Sequence, residues 1–130
     1  MFGVQGRGVG PRVRRREKAR IQAIIGLIKD CSLEKLENIA LMEGMLEKAA
    51  RLMDLTLLKT VSHKFSPQGL TAVALLAESH IAVHTYPEEN SIFVEVMSCG
   101  RGDAKKVLEL MEDMLGGKAE IVLDKIIGGE

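Results

Sequence analysis

The apolar positions of the chain fall into short runs and helical stripes, and their order predicts a fold. "IQAIIGLIK" (21 to 29) is short and apolar enough for a buried strand. Ser32 then offers an N-cap and Glu34 a favourable first-turn charge. Leu36, Ile39, Met42, Leu46, Ala49 and Met53 make one apolar face of a helix running to about Asp54. "LTLLKTVSHKF" (55 to 65) reads as a strand, "SPQG" as a turn, "LTAVALLA" (70 to 77) and "HIAVHTY" (80 to 86) as strands, and "PEEN" as a turn. "SIFVEVMS" (91 to 98) alternates, with Ile92, Val94 and Val96 on one face. Asp103 can cap a second helix whose stripe is Ala104, Val107, Leu108, Met111, Met114 and Leu115, and the glycine pair 116–117 ends it. "AEIVLDKI" supplies a last strand. The order strand, helix, four strands, helix, strand predicts an α+β two-layer sandwich: a mainly antiparallel sheet with two helices on one face.

Length and charge narrow this further. At 130 residues, 46% of them apolar, the chain has material for one core of ordinary size, so a single domain over 21–130 is expected. No apolar run reaches the roughly 18 to 20 residues of a bilayer span and no secretory signal is visible, so a soluble cytoplasmic protein without membrane contact is expected. Cys31 and Cys99 lie far apart and read as free thiols rather than a disulfide framework. The zero net charge hides an asymmetry. Residues 1 to 20 set Arg7, Arg12, Arg14, Arg15, Arg16, Lys18 and Arg20 against Glu17, a net +6, which leaves −6 on the remainder. This segment reads as a flexible basic arm, a solvated tail rather than a nucleic-acid-binding element.

One stretch is odd for a plain strand. "LLAESHIAVHTYPE" (75 to 88) places Ser79, His80 and His84 in an apolar run. If the flanking strands pair as a hairpin, Glu78 and Ser79 form its tight turn, where turn serines are common. His80 and His84 share a strand face and Ser79 has the other parity, so His84 meets Ser79 only if the chain bends at the turn. Spacing alone leaves a structural serine and a reactive one both open, and the same holds for Cys99.

The stretch "HKFSPQGLTAVALLAESHIAVHTYPE" followed by "EVMSCG" resembles the prokaryotic S-adenosylmethionine decarboxylase proenzymes, with their H-x-F, E-S-H-x-x-x-H-T-[WY]-P-E and T-C-G segments. The resemblance spans about residues 30 to 99, more than half of the chain. It implies that the chain cuts itself between Glu78 and Ser79 and that Ser79 becomes a pyruvoyl group. That group would form a Schiff base with the substrate in place of pyridoxal phosphate, with no metal. It further implies His84 as the base that takes the Ser79 α-proton during processing and Cys99 as the proton donor in decarboxylation. Thr71 stands where the family often has a serine that supports processing. Phe65 matches the ring that stacks on adenine near the sulfonium, and Glu88 the carboxylate that grips the ribose hydroxyls. S-adenosylmethionine is the implied substrate, for polyamine (spermidine) biosynthesis, and a homodimer of processed protomers, each of two chains, is the implied assembly.

The chain departs from the pattern in three further places: it lacks the histidine of a G-[KR]-H-[LV] first strand, Met97 and Ser98 precede the cysteine, and Glu89 follows P-E. Two other readings stand beside the first. A pyruvoyl-dependent arginine decarboxylase on the same scaffold would share the chemistry and differ in the side-chain pocket. An unprocessed paralogue, or a nucleic-acid-binding module using the arm, would have no need of Ser79, His84 and Cys99 together.

Overall fold

A computed structural model describes residues 20–99 and 101–129. The chain runs β1 (Arg20–Lys29), α1 (Leu33–Leu36), α2 (Ile39–Leu52), β2 (Leu57–Lys64), β3 (Leu70–Leu76), β4 (Ser79–Tyr86), a 3-10 turn (Pro87–Glu89), β5 (Ser91–Ser98), α3 (Lys105–Leu115) and β6 (Lys118–Gly128). The strands form one sheet in the order β2-β3-β4-β5-β1-β6, and every pair is antiparallel. The expected two-layer α+β sandwich is therefore present. The basic arm lies outside the described residues except for Arg20.

The helix expected from Ser32 to about Asp54 is two helices. Ser32 makes no side-chain cap, and α1 ends after one turn at Glu37. Asn38 then turns extended and its side chain accepts the Leu41 N–H, so α2 starts afresh with a true cap. The apolar stripe survives the break: Leu36, Met42, Leu46, Ala49 and Met53 are all buried. At the next helix the N-cap position falls to Ala104, which makes no side-chain cap, rather than to the expected Asp103, whose Oδ1 instead accepts the Lys105 N–H at 3.0 Å from one residue further out. Gly116 ends α3 with φ 73°, the left-handed conformation a glycine adopts without penalty.

Helix α2 lies over β2 and β3, α3 over β1 and β6, and the two helices touch. Small residues let them approach. Ala72 and Ala74 lie buried on β3, and a Cβ at Gly26 would meet Leu108 Cδ1 at 2.7 Å. Met42, Met45, Leu46 and Met111 meet Ile24, Ile28, Ile81 and Val94 in this one core. Truncating any of the larger side chains to alanine costs about 2–5 kcal/mol.

Among the described residues, no helix covers the other sheet face. By register it presents rows such as Val61, Val73, Ala82, Glu95, Ile25 and Leu123. Ile25, Val61, Leu75, Phe93 and Leu123 on it are exposed. No helix among the described residues is long and apolar enough to cross a membrane.

Candidate functional site

The seven residues singled out from the sequence gather at two places. The first is the β3–β4 turn. Leu76 pairs with Ser79, so the two-residue turn is Ala77–Glu78 rather than Glu78–Ser79, and β4 starts at Ser79, one position earlier than expected. Ser79 has φ 148°, a region that is nearly glycine's alone and costs a side-chain-bearing residue about 1–3 kcal/mol. The Glu78 carbonyl, which immediately precedes it, accepts the Cys99 N–H at 3.3 Å and the Cys99 thiol at 3.2 Å. Cys99 follows β5 with the parity of Phe93, Glu95 and Met97 and is exposed.

Two residues that the sequence reading did not single out hold this end together. Thr56, in the segment between α2 and β2, donates its backbone N–H to Glu78 Oε1 at 2.9 Å and its hydroxyl to Oε2 at 3.2 Å. Its carbonyl accepts the Ala77 N–H at 3.0 Å. Gln22, opposite Ser98 on β1, donates to the Gly102 carbonyl and accepts the Ala104 N–H at 3.0 Å, which fixes the chain beyond Cys99. No local motif announces either residue, because each acts through a contact with a segment distant in sequence.

The second place is the far end of β4. His84 stands opposite Thr71 on β3, and the Thr71 hydroxyl lies 2.9 Å from His84 Nδ1. A cleft of about 380 Å³ is lined by Phe65, Thr71, His84, Tyr86 and Glu88 among others, within the size range of small-molecule sites. Phe65 is half exposed, its ring set edge-on to His63 with centroids 4.7 Å apart. Gln68 donates to Glu88 Oε1 at 3.2 Å. The hairpin bearing Phe65 is tied to the helical layer by Glu37, which takes Lys64 at 3.0 Å and the Gly69 N–H at 3.1 Å. The Lys64 hydrogen bond pulls the Glu37 carboxyl below its ordinary value against the opposing effect of partial burial.

The bend that would bring His84 onto Ser79 within one chain is absent. β4 runs without interruption from Ser79 to Tyr86, so His84 stands five positions along it, about 16 Å away at ordinary strand rise. Thr71, His84, Phe65 and Glu88 share one cleft, whereas Ser79, Glu78 and Cys99 share another end of the same sheet.

His80, between them, sits 3.2 Å from Glu95 on the open face. Cys31 is buried, and burial followed by the neighbouring Asp30 charge pushes its thiol up to about 11, which marks it as an inert packing group.

Comparison with known proteins gives the family. The chain matches the family model of S-adenosylmethionine decarboxylase over residues 22–125. It is 38% identical over 93 residues to an S-adenosylmethionine decarboxylase proenzyme of Clostridium botulinum, covering 70% of this chain and 80% of that one. A proenzyme of the same name from Pseudomonas aeruginosa is 33% identical over 111 residues, 83% of this chain and 69% of that one. The adenosylmethionine decarboxylase structure from Aquifex aeolicus superposes with a TM-score of 0.71 at 27% identity, covering 84% of this chain and 89% of the other. With a family match over most of its length and the same sheet beneath it, the chain belongs to the S-adenosylmethionine decarboxylase family.

Proposed function

We propose that the chain cuts itself between Glu78 and Ser79, converts Ser79 to a pyruvoyl group and, as a homodimer, decarboxylates S-adenosylmethionine to the aminopropyl donor of polyamine synthesis. The observation that carries this reading is the Glu78 carbonyl, held by the Cys99 N–H and thiol beside a Ser79 whose backbone is strained.

The arrangement fits the first step. Ser79 Oγ attacks the Glu78 carbonyl carbon; the new C–O bond forms, the C–N bond breaks and the hydroxyl proton ends on the freed amine. As the carbonyl oxygen takes on charge, two donors already face it, the pattern that stabilises an oxyanion. His84 then removes the Ser79 α-proton, and the ester leaves as the Glu78 carboxylate. Hydrolysis of the resulting dehydroalanine releases ammonia and leaves the ketone. Thr71, hydrogen-bonded at His84 Nδ1, fixes the ring and leaves Nε2 for the proton. Threonine thus supplies the hydroxyl that the family often draws from serine.

The two ends of β4 need a second copy. A two-fold axis makes residue i of one subunit meet residue j of the other and the reverse. Laying two open faces together with their β4 strands antiparallel brings the strand end that holds Ser79, Glu78 and Cys99 against the end that holds His84 of the partner subunit. The exposed apolar side chains of that face supply the driving force.

The pyruvoyl carbonyl supplies the electron sink for loss of carbon dioxide from an α-amino acid. Around it, the chain's residues divide the remaining work. Phe65 offers its face to the adenine and the sulfonium charge, and Glu88 accepts from the ribose hydroxyls. Cys99 returns a proton to the substrate α-carbon. Arginine as substrate is the weaker reading, since both relatives reported above are named for S-adenosylmethionine and Phe65 and Glu88 suit a nucleoside.

Intact mass after warm incubation tests the reading. Fragments of residues 1–78 and 79–130, the second with a blocked N-terminus, are expected, and Ser79→Ala should stay whole. Labelled carbon dioxide should then come from S-adenosylmethionine and not from arginine. A wild-type chain that never splits would refute the proposal.

A further inference from the structure

We infer that Thr56 is a positioning residue for self-cleavage, acting through the Glu78 side chain. This deepens the reading above and rests on Glu78–Ser79 being the scissile bond.

A two-residue hairpin turn closes through its flanking backbone pairs and needs nothing from the side chain of its second residue. Here that side chain is captured at both oxygens by a single residue from another segment: Thr56 N–H on Oε1 at 2.9 Å and Thr56 Oγ1 on Oε2 at 3.2 Å. The Thr56 carbonyl also holds the Ala77 N–H at 3.0 Å. Three contacts from one residue therefore grip the turn on one side, while Cys99 grips the Glu78 carbonyl on the other.

Between the two grips lies the rotation about the Glu78 Cα–C bond, which decides whether the carbonyl carbon faces Ser79 Oγ. Holding the carboxylate removes that freedom before the reaction begins, so the acyl shift starts from a reactive geometry. Charge strengthens the grip, because a carboxylate accepts a hydrogen bond more strongly than a neutral amide does. An alanine before Ser79 would leave the peptide intact but free to turn, and a glutamine would hold it less firmly. Thr56 and Glu78 also lie together in the N-terminal fragment, so the clamp does not oppose separation of the bond it prepares.

The test is a double-mutant cycle on the cleavage rate of the full chain, followed by fragment mass at fixed temperature. Thr56→Val, nearly the same shape, should slow cleavage about tenfold or more, the effect of losing one hydrogen bond to a charged group. Thr56→Ser should restore the wild-type rate. Glu78→Gln should slow cleavage comparably, and combining it with Thr56→Val should add little, since both remove one interaction. Hydroxylamine should release no extra fragment from Thr56→Val, because the slowed step precedes the ester. Wild-type cleavage in Thr56→Val, multiplicative effects in the double variant, or an accumulated ester would each overturn the inference while leaving the proposed function standing. A wild-type chain that stays whole would overturn both.

Discussion

Cys99 touches one atom twice: its backbone N–H and its thiol both reach the Glu78 carbonyl oxygen, at 3.3 and 3.2 Å. The two donors are separable by mutation. Cys99→Ala keeps the N–H and loses the thiol, so it should still cleave, several-fold more slowly. Turnover should fall further, by about 10²–10⁴-fold, the usual cost of a lost general acid. Fragment mass and labelled carbon dioxide measured on the same sample check both numbers, and a fully active Cys99→Ala would remove the thiol from the mechanism.

His84→Ala should stall at the ester, because the uphill acyl shift then has no elimination to draw it forward. Hydroxylamine should cut this variant at residue 78. Thr71→Val, which loses the 2.9 Å contact to Nδ1 but keeps the shape, should process about tenfold slowly without stalling completely. His84→Ala reaching pyruvoyl unaided would exclude it as the base.

Placing Ser79 and His84 about 16 Å apart on one strand makes a mixing experiment decisive. Neither Ser79→Ala nor His84→Ala should form pyruvoyl alone. Co-refolded, they should give mixed dimers in which Ser79 of the His84→Ala chain meets an intact His84 from the other. Only the His84→Ala chain should then be cut, in up to about half of the dimers if pairing is random. No cleavage in a mixture shown to contain mixed dimers would mean that the two residues act within one chain.

Much of this fold was legible because the apolar stripes are periodic. Ile92, Val94 and Val96 alternate and are all buried, and Val107, Leu108, Met111 and Leu115 follow the helical repeat. The break at Glu37 and Asn38 was hidden because the stripe passes through it unchanged, and only the Asn38 cap reveals it. The motif residues were legible as a set but not as a geometry. Parity tells which face His84 occupies, yet where β4 begins depends on the Leu76–Ser79 pair, and that follows from the turn. Thr56 and Gln22 escaped notice because a threonine and a glutamine at strand ends have no signature until their distant partners are known.

Glu37 gives the hairpin of Phe65 a pH dependence. Its carboxyl is held below the ordinary value of 4.5, chiefly by the Lys64 hydrogen bond. A carboxyl depressed in the folded state stabilises it above its unfolded value, and that stability fades as pH falls through the folded one. Thermal melts of wild type and Glu37→Gln should therefore differ at pH 7 and converge below about pH 4. A difference that stays constant with pH would assign the effect to packing.

Ser79, at φ 148°, has a conformation that any residue with a Cβ adopts at a cost. Glycine would relieve it, but glycine has no hydroxyl to attack with. A protein selected only to fold would thus place there a residue that cannot react. On the proposed chemistry the cost is also temporary. Once the bond to Glu78 is cut, Ser79 is a chain end with no preceding carbonyl to define φ, and its α-carbon becomes planar. The tension belongs to the newly made chain alone, so maturation is a one-way relaxation: the finished enzyme has no such constraint to return to and no bond left to remake.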